Sequence, residues 1–248
     1  MKVSVIKETP SYLIINKPAG LVVHGDGRTK EETLADWILG QYPEMGGVGE
    51  PWGSPEGEVI PRPGIVHRLD RDTSGVMVIA RNQEMFEHLK VQFADGQIFK
   101  EYRAFVYGHP KEDQGSIDAP IGKSRRDFRM WSASRGARGK LRPAQTEYQV
   151  HRRFDDAEGN HYSYMSFFPK TGRTHQIRVH AKYMNYSIVG DKLYAGKNML
   201  IGATLDSYAL GFSRQALHAY KLSFTDREGE KVHYETPLPP DFEKALNE

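Results

Sequence analysis

One stretch constrains this chain more than any other: His67-Arg68-Leu69-Asp70-Arg71-Asp72-Thr73-Ser74-Gly75 runs directly into the apolar Val76-Met77-Val78-Ile79-Ala80. A short apolar run bounded by turn-forming residues reads as a buried strand, so the charged stretch sits at the mouth of the core. Asp70 lies between two arginines, and guanidiniums beside a carboxylate favour its charged form. A rigid strand that carries a reactive loop is a common way to build an active site. The plainer alternative is a surface turn in which Asp and Arg pair with each other, and the remaining motifs decide between the two.

The 248 residues can bury roughly three quarters of their unfolded surface, enough for a large core. Absence of cysteine excludes disulfides and thiolate metal sites, and no apolar run approaches the roughly 20 residues of a membrane helix. A cytoplasmic protein without membrane association is therefore expected. No internal repeat or composition break marks a second domain, so one domain over 1–248 is expected. Residues 46–64 hold six glycines and four prolines and read as a long loop leading to His67.

Charge is concentrated rather than spread. From Lys123 to Arg142 eight basic residues (Lys123, Arg125, Arg126, Arg129, Arg135, Arg138, Lys140, Arg142) meet one acid, Asp127, in a chain whose total is only +2. Phe128 and Trp131 lie among them, and basic residues interleaved with aromatics meet phosphates while offering faces on which bases stack. A solvated basic loop is the alternative. Gly136, Gly139 and Pro143 interrupt any amphipathic helix, which argues against a membrane-surface role.

In chain order, Tyr12–Asn16 and Leu21–His24 read as strands around a Lys17-Pro18-Ala19-Gly20 turn, and Leu34, Trp37 and Ile38 are spaced for a helix over Glu31–Leu39. Asn82 is an N-cap for a helix in which Phe86, Leu89 and Phe93 share a face and Gly96 supplies the stop. Tyr102–Tyr107 alternates like a strand with one face in a core. Gln145–Val150 and Tyr162–Phe168 read as strands joined by a polar turn around Asp155–Asn160. A helix then opens near Thr174, with Ile177, Ala181 and Met184 apolar and Arg178 beside that stripe. An arginine so placed turns inward only if an acid meets it, and Asp70 is the expected partner. The second half of Ala216–Phe224 reads as a strand, followed by a hairpin at Asp226–Glu230.

Several familiar chemistries fail on spacing. Gly122-Lys123-Ser124 lacks the glycine that a phosphate-binding loop needs at Ile117, and Gly47 and Gly49 lack a third glycine at Trp52. His175 and His180 stand five apart, which does not align two zinc ligands on one helical face. Neither nucleotide cofactor nor metal is expected.

Taken together, Asn16-Lys17-Pro18-Ala19-Gly20-Leu21, the His67–Asp70 run with Thr73-Ser74-Gly75, Tyr102 before Ala104, Ala144-Gln145-Thr146, Thr171–His180, Gly190-Asp191 with Tyr194, and Leu217-His218-Ala219 resemble, in order, the RluA-type pseudouridine synthases. The resemblance spans most of the chain. It implies an α+β fold, a mixed and mainly antiparallel sheet flanked by helices around an RNA-binding cleft, and cofactor-free isomerisation of uridine to pseudouridine in ribosomal or transfer RNA by a monomer. The first motif begins at Asn16, so the small N-terminal RNA-binding domain of some members is expected to be absent. By the same resemblance Asp70 is the essential carboxylate, Tyr102 packs on the uracil and helps remove the C5 proton, and Arg178 pairs with Asp70. Arg68 contacts RNA or fills the vacated stack. Lys123, Arg125, Arg126, Arg129, Trp131, Arg135, Arg173 and His175 are the remaining expected RNA contacts. A non-catalytic RNA-binding module and a carboxylate-dependent nucleosidase are the competing readings; the first leaves Asp70 and Arg178 unexplained and the second lacks an identified second acid.

Overall fold

The computed structural model describes residues 2–25, 31–53, 57, 59–133, 136–196 and 208–247. Its contacts gather into two units, Met1–Phe99 with Ala219–Thr236, and Lys100–His218 with Pro237–Glu248.

In the first unit β2 (Tyr12–Lys17) pairs antiparallel with β5 (Ser74–Ala80), in register from Tyr12↔Ala80 to Lys17↔Gly75. Every residue of β5 is buried, as its apolar run requires. The strand order is β1 (Ser4–Glu8), β2, β5, β13 (Leu217–Thr225), with β14 (Lys231–Glu235) on β13. Gly75 has φ +123°, and a Cβ there would lie 2.1 Å from the Ala219 carbonyl oxygen, so the backbones meet where only glycine fits. Helix α1 (Leu34–Gln41) starts later than expected because Thr33 caps it in a reciprocal box with Asp36. The strand expected at Leu21–His24 does not form. The carbonyls of Val22 and Val23 instead accept the amides of Leu34 and Ala35, so these residues feed the helix start rather than a sheet. Residues 46–64 hold the end of a 3-10 turn (Pro43–Gly47) and a two-residue ladder, β3 (Trp52–Gly53) with β4 (Val59–Ile60). Helix α2 (Gln83–Ala94) begins at the Asn82 cap, as its spacing predicts.

In the second unit β6 (Phe99–Tyr107), β12 (His161–Pro169), β11 (Gln145–Asp155) and β7 (Gln114–Asp118) lie in that order, all antiparallel. β6 is buried on both faces from Ala104 to Tyr107, not on one: Phe105 meets Phe212, Phe242 and Tyr164 while Ala104 and Val106 join the same core. Helix α3 (Gln176–Tyr183) carries Ile177 and Ala181 into this core, and α4 (Pro240–Asn247) adds Phe242 and Ala245. The basic segment is not a loop. It folds into a three-stranded antiparallel sheet in the order β10 (Ala137–Arg142), β8 (Ile121–Ser124), β9 (Trp131–Ala133). The fold is thus α+β, with mainly antiparallel sheets and four α-helices among the described residues. Among the described residues no helix is long and apolar enough to cross a membrane.

Candidate active site

Asp70 is half-buried in the loop that enters β5, and two neighbours make that loop rigid. Lys17 is fully buried, and its ammonium donates to the carbonyls of Pro18 (2.8 Å), Leu21 (2.8 Å) and Arg71 (3.0 Å). Three donors on three carbonyls satisfy a charge that would otherwise be costly to bury. The Gly20 amide also reaches the Arg71 carbonyl (2.9 Å), and Thr73 N–H closes a turn on the Asp70 carbonyl (3.1 Å). On the other side His67 Nε2 accepts from the Val78 amide (3.1 Å) while its ring stacks on Phe93 at 4.7 Å. The motif histidine is therefore a peg that docks the loop on β5 and α2. The sequence by itself assigns Lys17 no role; a lysine ending an apolar strand before proline is the available signal.

Arg178 and its surroundings form the corresponding framework in the second unit. Its Nε and Nη2 donate to Asp191 Oδ2 (2.7 Å) and Oδ1 (2.8 Å), with the arginine side chain 7% and the aspartate 0% exposed. Asp191 Oδ1 also accepts the amides of Leu193 (3.0 Å) and Tyr194 (3.1 Å). Arg178 thus meets an acid, as a buried guanidinium must, and that acid includes Asp191, which sequence reasoning left without a role. Tyr194 joins the parts: its ring lies 4.9 Å from the Arg178 guanidinium, and its hydroxyl accepts the Trp131 amide (3.0 Å) and shares a hydrogen bond with His175 Nδ1 (2.9 Å). His175 has φ +56°, a left-handed turn that ends the Thr171–Thr174 loop as α3 begins. The Gln176 carboxamide oxygen accepts from Thr171 Oγ1 (2.7 Å) and the Arg173 amide (3.0 Å), which holds the same loop. His180 is structural: its ring bridges Thr146 Oγ1 and the Ala119 carbonyl inside the protein, and burial lowers its pKa.

The expected RNA contacts divide by position. Lys123, Arg125, Arg126 and Arg129 are exposed, Trp131 is half-buried, and all lie on or between the strands of the small sheet. The Lys123 ammonium sits 4.4 Å above the Trp131 ring. Arg125 Nε donates to the Ala137 carbonyl (2.9 Å), which fixes its stem. Arg129 chelates Asp127 and holds that carboxyl down to about 2, so part of its charge is already answered. Arg173 is tied to the Pro143 carbonyl (3.0 Å), and His175 is joined to Trp131 through Tyr194. Tyr102 is half-buried in β6 opposite Phe167 and packs on the second unit's core. Arg68 is exposed in the first unit, and Arg135 lies outside the described residues. Among the described residues one trio of metal-ligating type converges, at the far end of the β11–β12 hairpin: Asp155 Oδ1 lies 2.6 Å from His161 Nδ1 and 3.3 Å from His109 Nε2. Asp155 and His161 share a hydrogen bond, and His109 Nε2 bonds to the Phe154 carbonyl at 3.1 Å.

A sequence profile described as RNA pseudouridylate synthase matches residues 11–183. An uncharacterized RNA pseudouridine synthase of Synechocystis sp. is 37% identical over 98% of this chain and 67% of its own length. The ribosomal large subunit pseudouridine synthase D of Zymomonas mobilis is 36% identical over 96% of this chain and 70% of its own. In fold, human RNA Pseudouridylate Synthase Domain Containing 1 superposes with a TM-score of 0.74 at 24% identity, covering 96% of this chain and 84% of that one. With nearly full-length matches above one third identity, the chain belongs to the RluA-type RNA pseudouridine synthases, isomerases of uridine in RNA.

Proposed function

We propose that this chain converts chosen uridines of structured RNA to pseudouridine with Asp70 as the essential carboxylate, in one catalytic domain that works as a cytoplasmic monomer. The observation that carries the assignment of Asp70 is its loop, clamped by the buried Lys17 and pegged by His67 at the mouth of β5. A reacting group must be held by supports that do not move, and this loop is held from both sides. Relatives named as acting on the ribosomal large subunit, in Zymomonas, Neisseria and Xanthomonas, favour ribosomal over transfer RNA as the target.

The reaction breaks the bond from uracil N1 to ribose C1′ and forms one from C5 to C1′; N1 gains a proton and C5 loses one. Nothing is oxidised or reduced, so the atoms balance without a further reactant. The uridine must first leave its stack at a cost of a few kcal/mol, which contacts to the surrounding RNA offset. Ionised Asp70 then adds to the sugar at C1′ or removes the C2′ proton. Tyr102 packs against the detached base and assists loss of the C5 proton. Arg178, braced from behind by Asp191, orients the Asp70 carboxylate and stabilises its charge. Arg68 contacts the RNA or fills the space that the base leaves, and the basic sheet with Arg173 and His175 holds the RNA backbone.

Ribosomal and transfer RNA carrying tritium at uracil C5 test this directly. The chain should release label, and Asp70→Asn should cut the rate about 10³-fold or more with RNA affinity unchanged. Full activity in that variant removes Asp70 from the chemistry. Release of free uracil would make the protein a nucleosidase, and binding without release would make it an RNA-binding module.

A further inference from the structure

The first unit contains a group of cations that the mechanism above does not use in full. The β3–β4 ladder sets Trp52 opposite Ile60, and this brings the Arg62 guanidinium to 5.2 Å from the centre of the Trp52 ring. Arg62 Nε is buried and has no hydrogen-bond partner. Another cation acts on it: burial and the positive charge of Arg68 both weaken its hold on its proton. Arg68 in turn donates from Nη1 to His24 Nε2 at 3.2 Å, while His24 Nδ1 lies 3.1 Å from the Gly25 carbonyl. That pattern requires the neutral ring with its proton on Nδ1, and burial together with Arg62 and Arg68 keeps His24 neutral by lowering its pKa. Among the described residues no carboxylate pairs with Arg62 or Arg68.

Two guanidiniums whose charges repel, with no carboxylate of the described residues on either, are a poor structural device. Exposed Arg68 keeps its water, but the withdrawn Nε–H of Arg62 loses it and gains nothing from the protein in return. An arriving anion with several acceptor oxygens would answer both charges at once, and the planar guanidinium fork suits a phosphate. We propose that Arg62, laid on Trp52, and Arg68, held by His24, form a seat for one phosphodiester of the RNA strand at the threshold of the Asp70 loop. The seat rests on the RNA isomerase reading and adds to it a specific backbone contact made by Arg62, with Trp52 and His24 as its supports. It is an anchoring site: it holds the strand close to Asp70, two residues beyond Arg68, and reads no base.

The test uses the full chain and a target RNA transcript. Arg62→Gln should weaken RNA binding about tenfold and lower the slope of log affinity against log salt by about one. Under the same conditions KM should rise while kcat at saturating RNA stays close to that of the parent, and Arg62→Lys should restore the salt slope without restoring full affinity. A second measurement needs no variant to fold: the Arg62 Nε–H resonance of the parent chain should shift on addition of a short single-stranded RNA and, at higher concentration, inorganic phosphate. An unchanged salt slope in Arg62→Gln together with an unmoved resonance overturns the seat even if the enzyme is active. If the parent chain binds RNA through this resonance yet releases no tritium, the seat stands and the isomerase reading falls.

Discussion

Arg178 in the second unit and Arg62 in the first both hold guanidinium nitrogen away from water, but the protein treats them differently. Arg178 is given a carboxylate, Asp191, on one edge of its fork, and that carboxylate is itself saturated by two backbone amides. Arg62 is given an aromatic face and a second arginine. The first arrangement is what a fold builds to keep a charge in a fixed place, since a buried cation survives only with its partner. The second makes sense when the partner comes from outside. The pair also shows why burial alone does not identify a functional arginine: what separates the two is whether the described residues supply the anion.

The sharpest way to break the comparison is to remove the built-in partner. Asp191→Ala should cost about 3–5 kcal/mol of stability in denaturant unfolding, because it removes a buried carboxylate that answers the Arg178 charge. A loss below about 1 kcal/mol would show that Asp191 is not the brace. The second test uses protons. His218 is fully buried beside Arg214 and Phe242, and burial first, then the Arg214 charge, lowers its pKa to about 3 from the ordinary 6.5. The folded state therefore binds fewer protons than the unfolded one between these values. The stability contributed by neutral His218 is whole above pH 6.5 and declines as pH falls toward 3, by roughly 1.4 kcal/mol per unit. His180 and His24 act with the same sign. Urea midpoints from pH 7.5 to 5 should fall accordingly, and His218→Asn should flatten the slope; a flat profile in the parent would contradict the burial of a neutral ring. The smallest effect is the most telling for Arg62. Arg62→Met keeps a chain that can lie on Trp52 and removes a charge that no carboxylate of the described residues answers, so stability should stay within about 0.5 kcal/mol. A large loss would make Arg62 a second Arg178, held for structure.

Much of this was legible before any coordinates. The apolar run at Val76–Ala80, the Asn82 cap and the hairpin at Asp226–Glu230 follow from local patterns, and local hydrogen bonds decide such elements. Elements whose stability comes from elsewhere were hidden. β1 is exposed along its whole length and exists because β2 offers it an edge, so it carries no hydrophobic signature. Leu21–His24 looked like a strand because its side chains are apolar, yet its carbonyls are taken by the start of α1. The basic segment resembled a loop because its glycines and charges mask the alternation of strands only three to six residues long.

The same division runs through the site. The kinds of residue that matter, and their order along the chain, are properties of the sequence: an acid between arginines before a core strand, and a Thr-Gly-Arg-Thr-His-Gln run before a helix. Partnership was left to tertiary structure. That His67 is a peg, that Lys17 clamps three carbonyls, that Asp191 holds Arg178 and that Arg62 meets a ring and a like charge all depend on distances between segments far apart in the chain. Spacing along a chain sets which face of its own element a side chain occupies, but the cost of burying a charge is settled by what lies opposite, and only folding brings that neighbour into place.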